Sequence, residues 1–87
     1  MLYLVSIDCT DDRLKKFETC VTGLSSDIFP VQNGVWVIQA DKPAVELRSR
    51  IKEHLQKDET ALVALLAGHA AWAGFGPQAR GWLLKNL

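Results

Sequence analysis

Apolar residues recur along this chain in two periods, and each change of period marks a new element. Residues 2 to 8, Leu-Tyr-Leu-Val-Ser-Ile-Asp, put Tyr3, Val5 and Ile7 on one side of an extended segment and Leu2, Leu4 and Ser6 on the other. No charge interrupts the run before Asp8, so the pattern predicts a central strand buried on both faces. Beyond it the period lengthens: Leu14, Phe17, Val21 and Leu24 fall at helical spacing. Thr10 stands where an N-cap would accept backbone N–H groups, and Asp11 and Asp12 occupy the first turn. Gly23 and the pair Ser25-Ser26 predict the end of that helix near residue 23.

Alternation returns at Ile28–Gln32 and again over residues 35 to 40. Asn33-Gly34 between them offers the two positive φ angles of a type I′ turn, which predicts a β-hairpin. Pro30 cannot donate to a ladder, so its strand belongs at a sheet edge. Asp41 then reads as an N-cap with Pro43 in the first turn, opening a second helix whose apolar stripe is Ala44, Leu47, Ile51 and Leu55. A fourth strand, apolar on both faces, spans residues 60 to 66. A loop of small residues from 67 to 76 leads to a short helix over about 77 to 86, with Trp82 and Leu83 as docking residues.

The order is βαββαβ followed by a tail. Right-handed crossovers fold it into a four-stranded antiparallel sheet of order 4-1-3-2 with both crossover helices on one face, an α+β architecture. Strand two is an edge in that order, as Pro30 requires. The 87 residues make one domain, 1–87, with 67–87 as a C-terminal extension. A domain of this size buries only roughly 60 to 65% of its unfolded surface. The second sheet face, with Leu2 and Leu4 on the central strand, would be an exposed apolar area in a monomer, which predicts a homodimer with its sheets packed face to face, with or without the segment after strand four added to the partner's sheet.

Composition narrows the function. Ten basic and ten acidic residues cancel, which excludes the strong positive field of a dedicated polyanion binder and leaves only a local patch. Cys9 and Cys20 have no neighbouring Cys or His at metal-ligand spacing and read as reduced thiols. With no secretory leader pattern and no apolar run of membrane-spanning length, the expectation is a cytoplasmic protein without a membrane partner.

The first strand, Tyr3-Leu-Val-Ser-Ile-Asp8, with a helix opening at Asp11-Asp12 in a short βαββαβ chain, resembles the ferredoxin-like CRISPR-associated proteins of the "Cas two" kind and the related VapD-type toxins. Glu46-Leu-Arg48, His54-Leu55, Leu62-Val63 and Gly68-His-Ala-Ala-Trp72-Ala-Gly-Phe75 ahead of Trp82-Leu83 resemble a narrower group, the SinR-like bacterial proteins. The resemblance implies a ferredoxin-like homodimer. It also implies a catalytic and metal-binding role for Asp8, paired across the two-fold to hold Mg²⁺ or Mn²⁺ for phosphodiester cleavage by a metal-dependent endonuclease. The alternative implied by the same fold is a non-catalytic dimeric adaptor for nucleic acid or for another protein. A small-molecule sensor is open too, because fold alone does not set function.

Each candidate has a plainer explanation. Asp8 could accept hydrogen bonds from the turn that follows it, and acids in a first helical turn, such as Asp11 and Asp12, are favoured by the helix dipole alone. Arg48, Arg50 and Lys52 could meet phosphates, yet a basic helix face interleaved with Glu46 and Glu53 is commonly just solvated. His54 borders an apolar stripe and reads as packing, whereas His69 in its glycine-containing loop is the better acid or base. Gly68, Gly74 and Gly76 match no phosphate-binding fingerprint. Trp36, Trp72 and Trp82 could stack on bases, but three tryptophans in so small a domain are most simply core and interface, with Trp72 and Phe75 expected at the subunit interface beside Leu2 and Leu4.

Overall fold

The computed structural model describes residues 1–66, 73 and 76–86. Its elements are β1 (Leu2–Asp8), α1 (Asp11–Thr22), β2 (Ile28–Gln32), β3 (Val35–Gln39), α2 (Ala44–Lys52), β4 (Thr60–Leu65) and α3 (Pro77–Asn86). The four strands form one antiparallel sheet of order β2-β3-β1-β4, which is the 4-1-3-2 arrangement the pattern of the chain requires. Residues 67–72, 74, 75 and 87, including His69, Trp72 and Phe75, lie outside the described residues.

Period-two alternation decides what each strand face does. Tyr3, Val5 and Ile7 point to the side that also carries Trp36 and Ile38 from β3, and α1 and α2 close over it with Phe17, Val21, Leu47 and Ile51. These side chains form one core in which Val5, Phe17, Val21, Ile38, Leu47 and Ile51 are fully enclosed. Truncating one of the larger of them, for example Leu47→Ala, would cost about 2–5 kcal/mol. The Tyr3 hydroxyl leaves this core to donate to the Lys42 carbonyl at 2.7 Å, pinning the chain where it turns into α2.

The opposite sheet face differs from the expectation of an open apolar surface. By register it carries Leu2, Leu4, Val35, Val37, Phe29, Leu62 and Ala64. Trp82 of α3 stacks on Phe29 with ring centroids 5.7 Å apart, and its Nε1–H donates to Asp27 Oδ1 at 2.8 Å. The tail helix therefore docks on the β2 side of this face, and Val37 and Leu83 are buried there. Leu62, on β4, stays 59% exposed. The apolar face is thus divided, with its β2–β3 half closed by the chain's own C-terminal helix.

Three local expectations are corrected. Among the described residues only Gly34 has a positive φ, +81°, and Asn33 does not, so the hairpin does not turn through a type I′ loop. An irregularity between Pro30 and Gln32 takes up the mismatch, where proline could not have completed a ladder anyway. Thr10 caps α1 through its backbone carbonyl, which accepts from the Arg13 N–H at 3.0 Å, and its side chain makes no capping bond. The cap of α2 is Pro43 and not Asp41: proline's fixed φ suits the entry, and its carbonyl accepts from Glu46 and Leu47.

Candidate functional site

Asp8 closes β1, paired across the sheet with Thr60, the first residue of β4. Strand alternation turns its side chain out of the core just as the chain leaves the sheet. It lines an open cleft with Cys9, Thr10 and residues 56 to 59 of the α2–β4 connection. The carboxylate is exposed and has no hydrogen-bond or ion-pair partner among the described residues. The hydrogen bond expected from the turn after Asp8 is therefore not made among the described residues, while Asp11 and Asp12 do lie in the first turn of α1.

An ion pair that no sequence motif announces shapes this cleft. Arg13 reaches from α1 to Glu59 through two parallel bonds, Nε to Oε2 at 2.9 Å and Nη2 to Oε1 at 3.0 Å. The same Nη2 donates to the His54 carbonyl at 2.8 Å, and Glu59 Oε1 accepts the Gln56 N–H at 2.7 Å. The guanidinium also lies over the Phe17 ring, 5.3 Å from its centroid. One arginine thus ties the start of α1, the end of α2 and the loop that walls the cleft. Its hydrogen bond holds the Glu59 carboxyl below the usual carboxylate range and pushes the Arg13 guanidinium further up. The signal lay forty-six positions apart in the chain, with no motif to connect the two residues.

Cys9 sits in the same cleft. Burial, and after it the Glu59 and Asp8 carboxylates, pushes its thiol up, away from the thiolate that a nucleophile needs. Cys20 is pushed up by burial and then by Glu53. No group of three or more His, Cys, Asp or Glu side chains with metal-holding geometry occurs among the described residues. Among the described residues Asp8 is therefore not part of a ready-made ligand set for Mg²⁺ or Mn²⁺.

The basic residues of α2 are all exposed, but they do not form one face. With Leu47 and Ile51 buried, the 100° step of the helix places Arg50 on the flank shared with Glu46 and Glu53. That flank borders an open groove against α1, lined by Thr19, Cys20, Arg50, Glu53 and His54. His54 is exposed there and is not the packing residue its spacing suggests. Arg48 and Lys52, one turn apart, lie on the other flank with Val45, turned away from α1. Neither has an ion-pair partner among the described residues. Since α2 packs over β4, this flank overlooks the β4 edge of the sheet.

Of the expected interface residues, Leu2 is only 5% exposed within the single chain, and Leu4 is half-buried. Among the described residues no helix is long and apolar enough to cross a membrane. Compared with family models, curated proteins and solved structures, the chain matches none.

Proposed function

We propose that the protein is a homodimeric nucleic-acid-binding module of the kind that its resemblance to the Cas-two-like and SinR-like ferredoxin folds implies, acting as an adaptor. The observation that carries this reading is the Arg48–Lys52 pair on α2, exposed, one turn apart and without acidic partners among the described residues. In a chain of zero net charge such a pair supplies the local positive surface that phosphate contacts need. Arg50 sits beside Glu46 and Glu53, which cancel its field, and contributes little. The test is equilibrium binding of single- and double-stranded oligonucleotides. Arg48→Glu combined with Lys52→Glu abolishes binding in this account, and Arg50→Glu leaves it within a few-fold.

A second reading, a metal-dependent endonuclease, is favoured by one observation: Asp8 holds an exposed carboxylate, without a partner among the described residues, at a strand tip beside an open cleft. In that case two Asp8 carboxylates from two subunits share Mg²⁺ or Mn²⁺, which activates water and neutralises charge on the scissile phosphate. Cleavage of DNA or RNA that requires the metal and disappears in Asp8→Asn would establish it. Equal cleavage by Asp8→Asn and wild type would eliminate Asp8 as the site.

A further inference from the structure

The two edges of the sheet are unlike. On β2 the Gln39 N–H bonds the Asp27 carbonyl, so by alternation residue 29 faces β3 and Pro30 faces outward. The outward position is the one without a donor, and a ladder irregularity follows it. This edge is blocked against another strand.

Among the described residues the β4 edge has no such protection. Leu66 N–H bonds the Leu2 carbonyl at 2.9 Å, which assigns residues 60, 62 and 64 to the β1 ladder and turns the backbone groups of Ala61, Val63 and Leu65 outward. No charge, proline or bulge interrupts β4, and no described strand lies beyond it. Leu62 and Leu65 are 59% and 56% exposed. A neutral, regular edge with outward apolar side chains is a template for strand addition.

Its sequence also selects the partner. Set antiparallel to a second copy with the two-fold axis at Val63, the strand pairs Ala61 with Leu65 of the other copy, Leu62 with Ala64, and Val63 with itself. Every cross-strand pair away from the axis then joins a large side chain to a small one, on both faces of the sheet, and no like charges meet. Ala61, Val63 and Leu65, the residues whose backbone faces outward, fall opposite one another in that register. Because β2 is blocked, a β4-to-β2 contact cannot propagate into a filament, and the pairing closes as a dimer.

We infer that two copies of this chain join edge to edge through β4, in the register centred on Val63, to make one continuous eight-stranded sheet. The inference rests on the homodimer of the proposed function and specifies its geometry. Both α2 helices then lie side by side over the joined β4 strands, and the Arg48 and Lys52 flanks of the two copies line one basic groove along the axis. The strand spacings put the two Asp8 carboxylates roughly 25 Å apart, too far to share an ion whose ligands lie at about 2.0 to 2.6 Å. Edge pairing therefore also favours binding over shared-metal cleavage.

The test is amide hydrogen exchange on the full chain together with its mass in solution. A dimer at micromolar concentration is expected, with the amides of Ala61, Val63 and Leu65 protected and losing protection on dilution, while those of Leu62 and Ala64 stay protected by β1. Leu65→Lys, at an exposed strand end, raises the dimer dissociation constant about tenfold or more and leaves the far-ultraviolet circular dichroism unchanged. A monomer at that concentration overturns the inference. So does a dimer whose outward amides exchange freely, or one indifferent to Leu65→Lys. Oligonucleotide binding measured on the same samples separates the two ideas, because loss of binding with an intact edge-paired dimer would count against the proposed function alone.

Discussion

Gly34 shows how tightly a single position can be fixed. Its φ of +81° is costly for any side chain, and a Cβ there would lie 2.5 Å from the Ile7 carbonyl oxygen of β1. The same neighbour donates its N–H to the Gly34 carbonyl at 2.7 Å, so β1 cannot yield without losing a bond. Gly34→Ala is expected to lower the unfolding free energy by about 1–3 kcal/mol, measured by urea denaturation. At the same scale, the Arg13–Glu59 pair makes stability depend on pH. Glu59's carboxyl is depressed in the folded chain, so its contribution is complete above the ordinary glutamate value of 4.5 and is lost as pH falls through the lower folded value. Glu59→Gln should flatten that acid-side decline, and denaturation midpoints at neutral and acid pH for both chains check it. Neither residue's partner could be read from the sequence. A turn glycine is visible in Asn33-Gly34, but its approach to Ile7, like the reach of Arg13 to Glu59, exists only once the sheet and helices are assembled.

At the scale of elements, α3 is a latch on the β2 side of the sheet. Trp82 gives it the stacking on Phe29 and the bond to Asp27, and Leu83 gives it a buried anchor. Trp82→Ala removes the first two at a cost of about 1–3 kcal/mol. The expected outcome is faster exchange of α3 amides with the amides of β1 unaffected, which deuterium exchange followed by mass spectrometry reads directly. The strands and helices themselves were legible because their apolar periods are clean and their punctuation is strong, as at Pro30, Gly23 and Pro43. What the pattern could not decide was which partner takes each polar group at an element's end. Thr10 and Asp41 have the chemistry of side-chain caps, yet backbone carbonyls of Thr10 and Pro43 do that work. The face covered by α3 was equally hidden, since Trp82 and Leu83 announce docking without naming the surface.

At the scale of the whole molecule, the fold was legible and the site was only partly so. Asp8 could be singled out because it ends an apolar strand, and its exposed carboxylate, without a hydrogen bond from the following turn or any other partner among the described residues, does not fit the plainer explanation. Arg48, Arg50 and Lys52 looked like one basic face, but helical rotation divides them, and only Arg48 and Lys52 overlook the β4 edge. Dimerisation and binding are therefore coupled in this account. Four like charges gathered along one axis are neutralised by a polyanion, so an oligonucleotide should shift the monomer–dimer equilibrium toward the dimer, as sedimentation with and without the oligonucleotide would reveal. The most direct measurement of the central claim is oligonucleotide binding as a function of salt for wild type and for the double variant Arg48→Glu, Lys52→Glu. The wild type is expected to bind with a salt-dependent affinity that falls at least about tenfold in the variant, with a shallower salt slope. An unchanged affinity and slope would contradict it.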